Sequence, residues 1–199
     1  MSLYDLLQQR RMVRHYTGER VSRDVLERIV ATVRRAPSAG FSQGQRLLVV
    51  DDPSLLAKLA EEDELEGMEA WFASAAAHVL VLTREQDYHD RYTSRDKLDA
   101  TGGTEIDWPV PYWHVDAGAA LMLVLLAALE EGLAAGVYGI VPQDQPKVRE
   151  LLHIPDELAI VAGITLGHGA PDPEWSKATS RATQRRRPLD EVVHWNTWD

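Results

Sequence analysis

The chain contains no cysteine. That absence removes disulfides, thiolate nucleophiles and the Cys-based zinc and iron–sulfur centres, so redox chemistry here needs a borrowed cofactor. Histidine is sparse too: the seven residues are scattered, and no two stand at the helical spacing of metal ligands. His114 and Asp116 form one weak His-x-Asp pattern, which reads as a structural or lid feature, and no metal is expected. Positive charge is in deficit, 21 Lys and Arg against 31 Asp and Glu for a net charge of -10. This argues against nucleic-acid and anionic-membrane partners, because both rest on neutralising phosphates. No Gly/Ser or Pro linker divides the 199 residues, so a single domain over 1–199 is expected. Neither a signal-peptide pattern nor a membrane span stands out, which predicts a cytoplasmic protein.

Polar side chains are missing altogether from Gly118 to Leu129. The surrounding run, His114 to Ala135, predicts a helix that is apolar on every side, and such a helix belongs in a core or against a second subunit. A bilayer span takes ~20 predominantly apolar residues, and this run is closed by His114 and Asp116 before it and Glu130 and Glu131 after it. Ala117, Gly118, Ala119 and Ala120 make a small-residue edge where a backbone or a flat ligand can come close.

Around it, Ser2 caps a first helix reaching about Arg11, and Ser22 a second that runs through Arg35 and stops at Pro37. The loop Ala36–Gln45 leads into a strand over Arg46–Asp51. A helix from Pro53 extends through the solvated acidic run to Glu66, and a short one covers Met68–Ala76 before the strand Ala77–Arg84. Gln86–Tyr112 loses its period and is expected to be a mobile lid or substrate-facing segment. A helix over Gln145–Leu152 and a strand within Glu157–Gly169 follow, then a tail in which Leu189–Val193 can add a strand. Trp195 and Trp198 call for a surface to dock on. The pattern is α+β: a mixed sheet sandwiched by helices, with one long central helix.

Arg10 and Arg14, four apart, can present guanidinium forks to phosphate oxygens, or can be solvated cations that complement a helix C-terminus. Ser38 and Gln43 can contact a heterocycle or simply shape a turn, and Arg185, Arg186 and Arg187 can bind an anion or lie in solvent.

Three blocks in order resemble one family. Arg10-Arg11-Met12-Val13-Arg14-His15-Tyr16, then Ala36-Pro37-Ser38-Ala39-Gly40-Phe41-Ser42-Gln43 before a hydrophobic strand, then Arg185-Arg186-Arg187-Pro188-Leu189-Asp190-Glu191-Val192-Val193, look like the signatures of the FMN-dependent nitroreductase family. The resemblance covers essentially the whole chain. It implies a homodimer with FMN in clefts between the subunits, reduced by NAD(P)H and reoxidised by a small electron-poor acceptor such as a nitroaromatic, quinone or enone. Carried over by position, Arg10, Arg14, Arg185 and Arg187 would hold the flavin phosphate, with Arg11 and Met12 in the same block. Pro37, Ser38 and Gln43 would lie along the flavin, partly from the partner, and Gly139 beside its hydride-accepting edge. Phe41 and Tyr138 would face the acceptor, while Trp108, Tyr112 and Trp113 can form an acceptor-facing wall or serve simple packing. Met12 stands where the family usually has Ser, Phe41 where it has Asn, and Tyr138 where some members have Glu. No side chain is expected to do covalent chemistry. Relatives also include dehydrogenases, dehalogenases and flavin-processing enzymes, and a non-catalytic flavin-binding protein is the reading from a different class.

Overall fold

The computed structural model describes residues 2–61, 69–171 and 186–198. The acidic end of the helix expected to reach Glu66, the arm beyond Pro171 and Arg185 lie outside the described residues.

Helix α1 spans Leu3–Gln9 and opens with a reciprocal capping box, the Ser2 hydroxyl accepting from the Asp5 amide while the Asp5 carboxylate accepts from the Ser2 amide. An extended segment follows to α2, Arg23–Ala31, which tightens into a 3-10 turn over Thr32–Arg35. Strand β1 is Gln45–Val50. Asp52 caps α3, Pro53–Glu61, through the Ser54 and Leu55 amides at 2.9 and 3.1 Å. Then come α4 (Glu69–Ser74), β2 (Ala77–Thr83), α5 (Gln86–Tyr92), α6 (Arg95–Thr101), α7 (Tyr112–Glu130), β3 (Ala134–Tyr138), α8 (Gln145–Leu152) and β4 (Ala159–Gly167).

The strands form one sheet in the order β1-β2-β4-β3. All three pairings are antiparallel, so among the described residues the sheet lacks the parallel pair of a mixed sheet. β2 is buried on both faces because its side chains alternate between two cores. Ala77, Val79 and Val81 meet α2 and α7, while Leu80 and Leu82 meet the layer that holds Leu56, Leu59 and Val148 of α3 and α8. This is the expected helix–sheet–helix sandwich.

Three expectations are corrected. The central helix ends at Glu130, not Ala135: Gly132 takes φ 76, the Leu133 amide bonds the Ala128 carbonyl at 2.8 Å, and the Gly132 amide bonds Leu129 at 3.0 Å. That pair of bonds is a Schellman stop, and it frees Ala134 and Ala135 to open β3. The supposed lid, Gln86–Tyr112, contains α5 and α6. The tail makes a 3-10 turn over Leu189–Glu191 where a strand was expected.

Only one stripe of α7 is buried in the single chain: Asp116, Ala117, Ala120, Val124, Leu125 and Ala128. The small residues face the sheet and let the helix approach it closely, while Leu123, Leu126 and Leu129 stay half-exposed and Val115 is 55% exposed. By length and composition alone the helix also matches a membrane span. Further apolar surface lies on α1, where Leu3 is 62% and Tyr4 70% exposed, and on the tail, where Trp195 and Trp198 are each 82% exposed.

Candidate functional site

The segment after α1 is extended, because α1 stops at Gln9 and the chain turns to run against the sheet. The Val13 amide donates to the Ala135 carbonyl at 3.0 Å, and farther on Tyr16 bridges Gly169. Arg10, Met12 and Arg14 therefore stand on non-helical backbone and not on one helix face. The crossing is tight at Gly136, where an added Cβ would strike the Val13 carbonyl oxygen and lie 2.9 Å from Thr165 Oγ1. Tyr16 is anchored beneath it, its buried hydroxyl 2.7 Å from Thr165 Oγ1.

Two arginines of this segment have clear assignments. Arg11 donates to the carbonyls of Gln8 and Arg10 at 2.7 and 3.0 Å, and so completes the C-terminus of α1. Arg14 lies over the Trp71 ring, 5.2 Å from its centroid, a cation–π contact that orders the guanidinium. Arg10 is half-buried, and its guanidinium makes no hydrogen bond or ion pair among the described residues. It lines, with Arg11, Val13, Leu125, Leu129, Leu133 and Ala135, a cleft of about 260 Å³. Met12 is half-buried, and Arg187 is exposed.

β3 carries the next candidates. Gly139 follows Tyr138 at its end, is exposed, and has open space where a Cβ would be. Tyr138 corrects an expectation: its residue is 6% exposed, its ring lies over Gly163, and its hydroxyl sits 2.9 Å from His78 Nδ1. It belongs to a core box with Phe72, Trp71 and His78, not to a substrate-facing surface of this chain. His78 Nε2 lies 3.1 Å from the Phe72 carbonyl, which only accepts, so this nitrogen carries the proton and Nδ1 accepts from Tyr138. Burial pushes the ring's pKa down to about 4, so it is neutral near pH 7.

The Pro37–Gln43 loop lies before β1, at the opposite edge of the sheet. Pro37 is exposed. Phe41 and Gln43 have φ of 61 and 52, left-handed values that are uncommon for residues other than glycine, Asn and Asp. The Ser38 hydroxyl oxygen accepts from the Gln43 amide at 3.0 Å, while the exposed Gln43 carboxamide makes no hydrogen bond among the described residues. Phe41 is 74% exposed. Three strand spacings separate this edge from β3, on the order of 15 Å.

Trp108, Tyr112 and Trp113 are half-buried and form one aromatic patch with Tyr88, His89 and Tyr92. The Trp108 indole donates to Glu105 at 2.7 Å, and His89 Nδ1 meets the same carboxylate oxygen at 2.7 Å. Glu105 raises the His89 pKa from its ordinary range.

Sequence reasoning passed over Trp71, His78, Tyr88 and Arg91, whose roles come from contacts distant in the chain. Asp116 left a signal, the one acid inside an apolar helix, and it is read above only as half of a weak metal pattern. It is 6% exposed, and its Oδ2 accepts from the Ala39 amide and the Tyr88 hydroxyl, both at 2.8 Å. Tyr88 is held protonated, first by burial and then by that bond.

Known proteins are similar to this chain in sequence and share its fold. The chain is 29% identical to the NAD(P)H FMN reductase of Bacillus subtilis (strain 168), with 96% of this chain and 72% of that protein covered. It is 25% identical to an NADPH-dependent oxidoreductase of Staphylococcus aureus, covering 98% of the chain and 74% of the relative. A nitroreductase family protein from Streptococcus pneumoniae superposes with TM-score 0.75 at 20% identity, over 98% of this chain and all of the other (100%). A protein from Desulfovibrio desulfuricans solved in complex with FMN superposes with TM-score 0.73 at 24% identity, over 100% and 99% of the two chains. The family model of the nitroreductases matches residues 7–168, most of the domain just described, and the chain belongs to the nitroreductase family.

Proposed function

We propose that this chain is an NAD(P)H-dependent flavin oxidoreductase that works as a homodimer and binds FMN where two subunits meet. One observation carries the reading. Arg10, Arg14 and Gly139 lie beside β3 and Ser38 and Gln43 before β1, on opposite edges of one sheet, as two half-sites would. A ring stacked on either edge cannot touch the other within one chain, whereas a two-fold partner can bring one of each together. The cleft at Arg10 is also small for a cofactor pocket, about 260 Å³, as half of a shared site would be.

The donors fit FMN. The unengaged guanidinium of Arg10 suits a phosphate, and the family resemblance adds Arg14 and Arg187 to the same task. The open space at Gly139 lets a flat ring approach backbone, and the free Gln43 carboxamide offers both a donor and an acceptor. Bound there, FMN would supply two-electron redox chemistry, accepting hydride from NAD(P)H and passing electrons, in a ping-pong cycle, to a nitroaromatic, quinone or enone. The chain's own tasks are to anchor, to orient and to exclude water. The patch around Trp108, Tyr112 and Trp113 supplies an apolar wall for the acceptor.

The exposed apolar surface supports the dimer. Val115 and the half-exposed leucines of α7, Leu3 and Tyr4 of α1, and the tail tryptophans are more than a monomer keeps in water. Covered by a second copy, α7 needs no bilayer, which fits a cytoplasmic enzyme.

The test is direct. Purified protein, reconstituted with FMN and freed of excess, is expected to be yellow and dimeric by light scattering, and to bleach on anaerobic addition of NADH or NADPH. Arg10→Ala is expected to weaken FMN binding by about tenfold or more, as loss of a charge-assisted hydrogen bond does. Protein that stays colourless in excess FMN overturns the proposal. A flavin that binds but resists both nucleotides favours the non-catalytic flavin-binding reading instead.

A further inference from the structure

We propose that Asp116 and Arg91 are positioning residues that hold the Ser38–Gln43 loop in its strained shape, ready for the flavin of the partner subunit. The inference rests on the flavin-site reading above and assigns a role to two residues outside it.

The loop packs an unusual amount of left-handed backbone into a few residues: φ is 59 at Gly40, 61 at Phe41 and 52 at Gln43. For Phe and Gln such values are unfavourable and persist only where the surroundings over-determine them. Local bonds account for part of this. The Phe41 amide donates to the Ser38 carbonyl at 2.9 Å, and the Gln43 amide donates to the Ser38 hydroxyl at 3.0 Å. What fixes the loop in space is a pair of charged groups on consecutive residues. The Asp116 carboxylate of α7 accepts from the Ala39 amide at 2.8 Å, and the Arg91 guanidinium of α5 donates to the Gly40 carbonyl at 2.8 Å.

Each anchor is itself held. Asp116 accepts from the buried Tyr88 hydroxyl at 2.8 Å, and Arg91 is forked by Asp96 at 2.9 and 2.8 Å. The rings of α5 complete the mould: Tyr92 lies against Gly40, where a Cβ would stand 2.6 Å from the ring, and Tyr88 lies against Gly44. Asp116 has no cationic partner among the described residues. A buried carboxylate without a counter-charge is costly, and an apolar residue there would pack more cheaply. Its two bonds, one of them to the loop, give the charge its purpose. The grip leaves Phe41 and the Gln43 carboxamide pointing outward and unengaged.

The experiment measures FMN affinity by flavin fluorescence quenching, and amide hydrogen exchange of the 38–43 peptide, in wild type, Asp116→Asn, and Asp116→Asn with Phe41→Asn. Asparagine is among the residues that accept left-handed backbone. Asp116→Asn is expected to weaken FMN binding by about tenfold and speed exchange of the loop by a similar factor, with the sheet amides unchanged. Adding Phe41→Asn is expected to restore most of both, because the loop then needs less holding. Unchanged affinity and exchange in Asp116→Asn overturn the proposal, and so does a loss that Phe41→Asn leaves in place, which would make Asp116 a general support of the fold. If Asp116→Asn does not fold, Arg91→Gln, at a half-exposed site, is expected to give a three- to tenfold loss of the same kind, and no loss overturns the proposal. If wild type binds no FMN at all, the flavin reading fails, and the exchange measurements alone decide whether Asp116 and Arg91 set the loop.

Discussion

Gly136→Ala tests how the arginines proposed to meet the flavin phosphate are placed. The added methyl would collide with the Val13 carbonyl oxygen and press on Thr165 Oγ1 at 2.9 Å and Trp71 Cζ2 at 3.0 Å. None of these atoms is the free end of a flexible chain. Thr165 Oγ1 is bonded to Tyr16, and Trp71 is 2% exposed and lies under Arg14. The backbone of the arginine segment therefore has to give way. Overpacking of this kind costs roughly 1–3 kcal/mol, and stretching the 3.0 Å bond from the Val13 amide to Ala135 adds roughly 0.5–1.5 kcal/mol. The sum, about 2–4 kcal/mol, would lower the melting temperature of a domain this size by roughly 5–15 °C. Displacement of Arg10 and Arg14 from the β3 edge is also expected to weaken FMN binding by about tenfold or more. Differential scanning fluorimetry on apo-protein and a flavin titration measure the two effects. A variant that melts within a degree of wild type and keeps its flavin affinity refutes the claim that this crossing places the arginines.

Gly139→Ala is the complement: the space is open, so apo-protein is expected to melt normally, while FMN affinity or the rate of its reduction by NAD(P)H falls as the methyl meets the ring. Stability should also depend on pH through His78. Its ring is neutral in the fold with a pKa of about 4, against 6.5 when unfolded, so the unfolded chain binds the extra proton between those values. The contribution is complete above pH 6.5 and lost as pH falls toward 4, about 3 kcal/mol in all. Urea unfolding of wild type should show that slope, and His78→Leu should flatten it even though Tyr138 loses its acceptor. Val115→Asp, at a site 55% exposed in the single chain, would change monomer stability by no more than about 0.5 kcal/mol. It is expected to shift the dimer toward monomer in sedimentation, and an unshifted dimer would remove α7 from the interface.

Much of the fold was legible because its signals are local. The Ser2 cap, the helix opening at Pro53, the run at Gln145–Leu152 and the apolar strands β1, β2 and β4 all appear where caps and periodicity place them. The central helix was overextended because apolar residues resume after Glu130, Glu131 and Gly132, and Leu133–Ala135 were counted with it although the backbone turns left-handed at Gly132 and enters β3. The helices inside Gln86–Tyr112 were missed for another reason. α5 and α6 are short, and polar residues fill much of their surface, so neither shows a strong period.

The sequence by itself determined the family, the need for a borrowed cofactor, and the blocks that carry Arg10, Arg14, Ser38, Gln43 and Gly139, because residue type and spacing are enough to state them. Only the tertiary structure decided what each residue is free to do. It turned Arg11 to the end of α1, buried Tyr138 against His78, left Arg10 unpaired and tied Ala39 to Asp116, 77 positions away. It also set the arginine segment and the Ser38–Gln43 loop at opposite edges of the sheet, since strand order, unlike strand content, arises from pairings between distant segments and leaves no local trace in the chain.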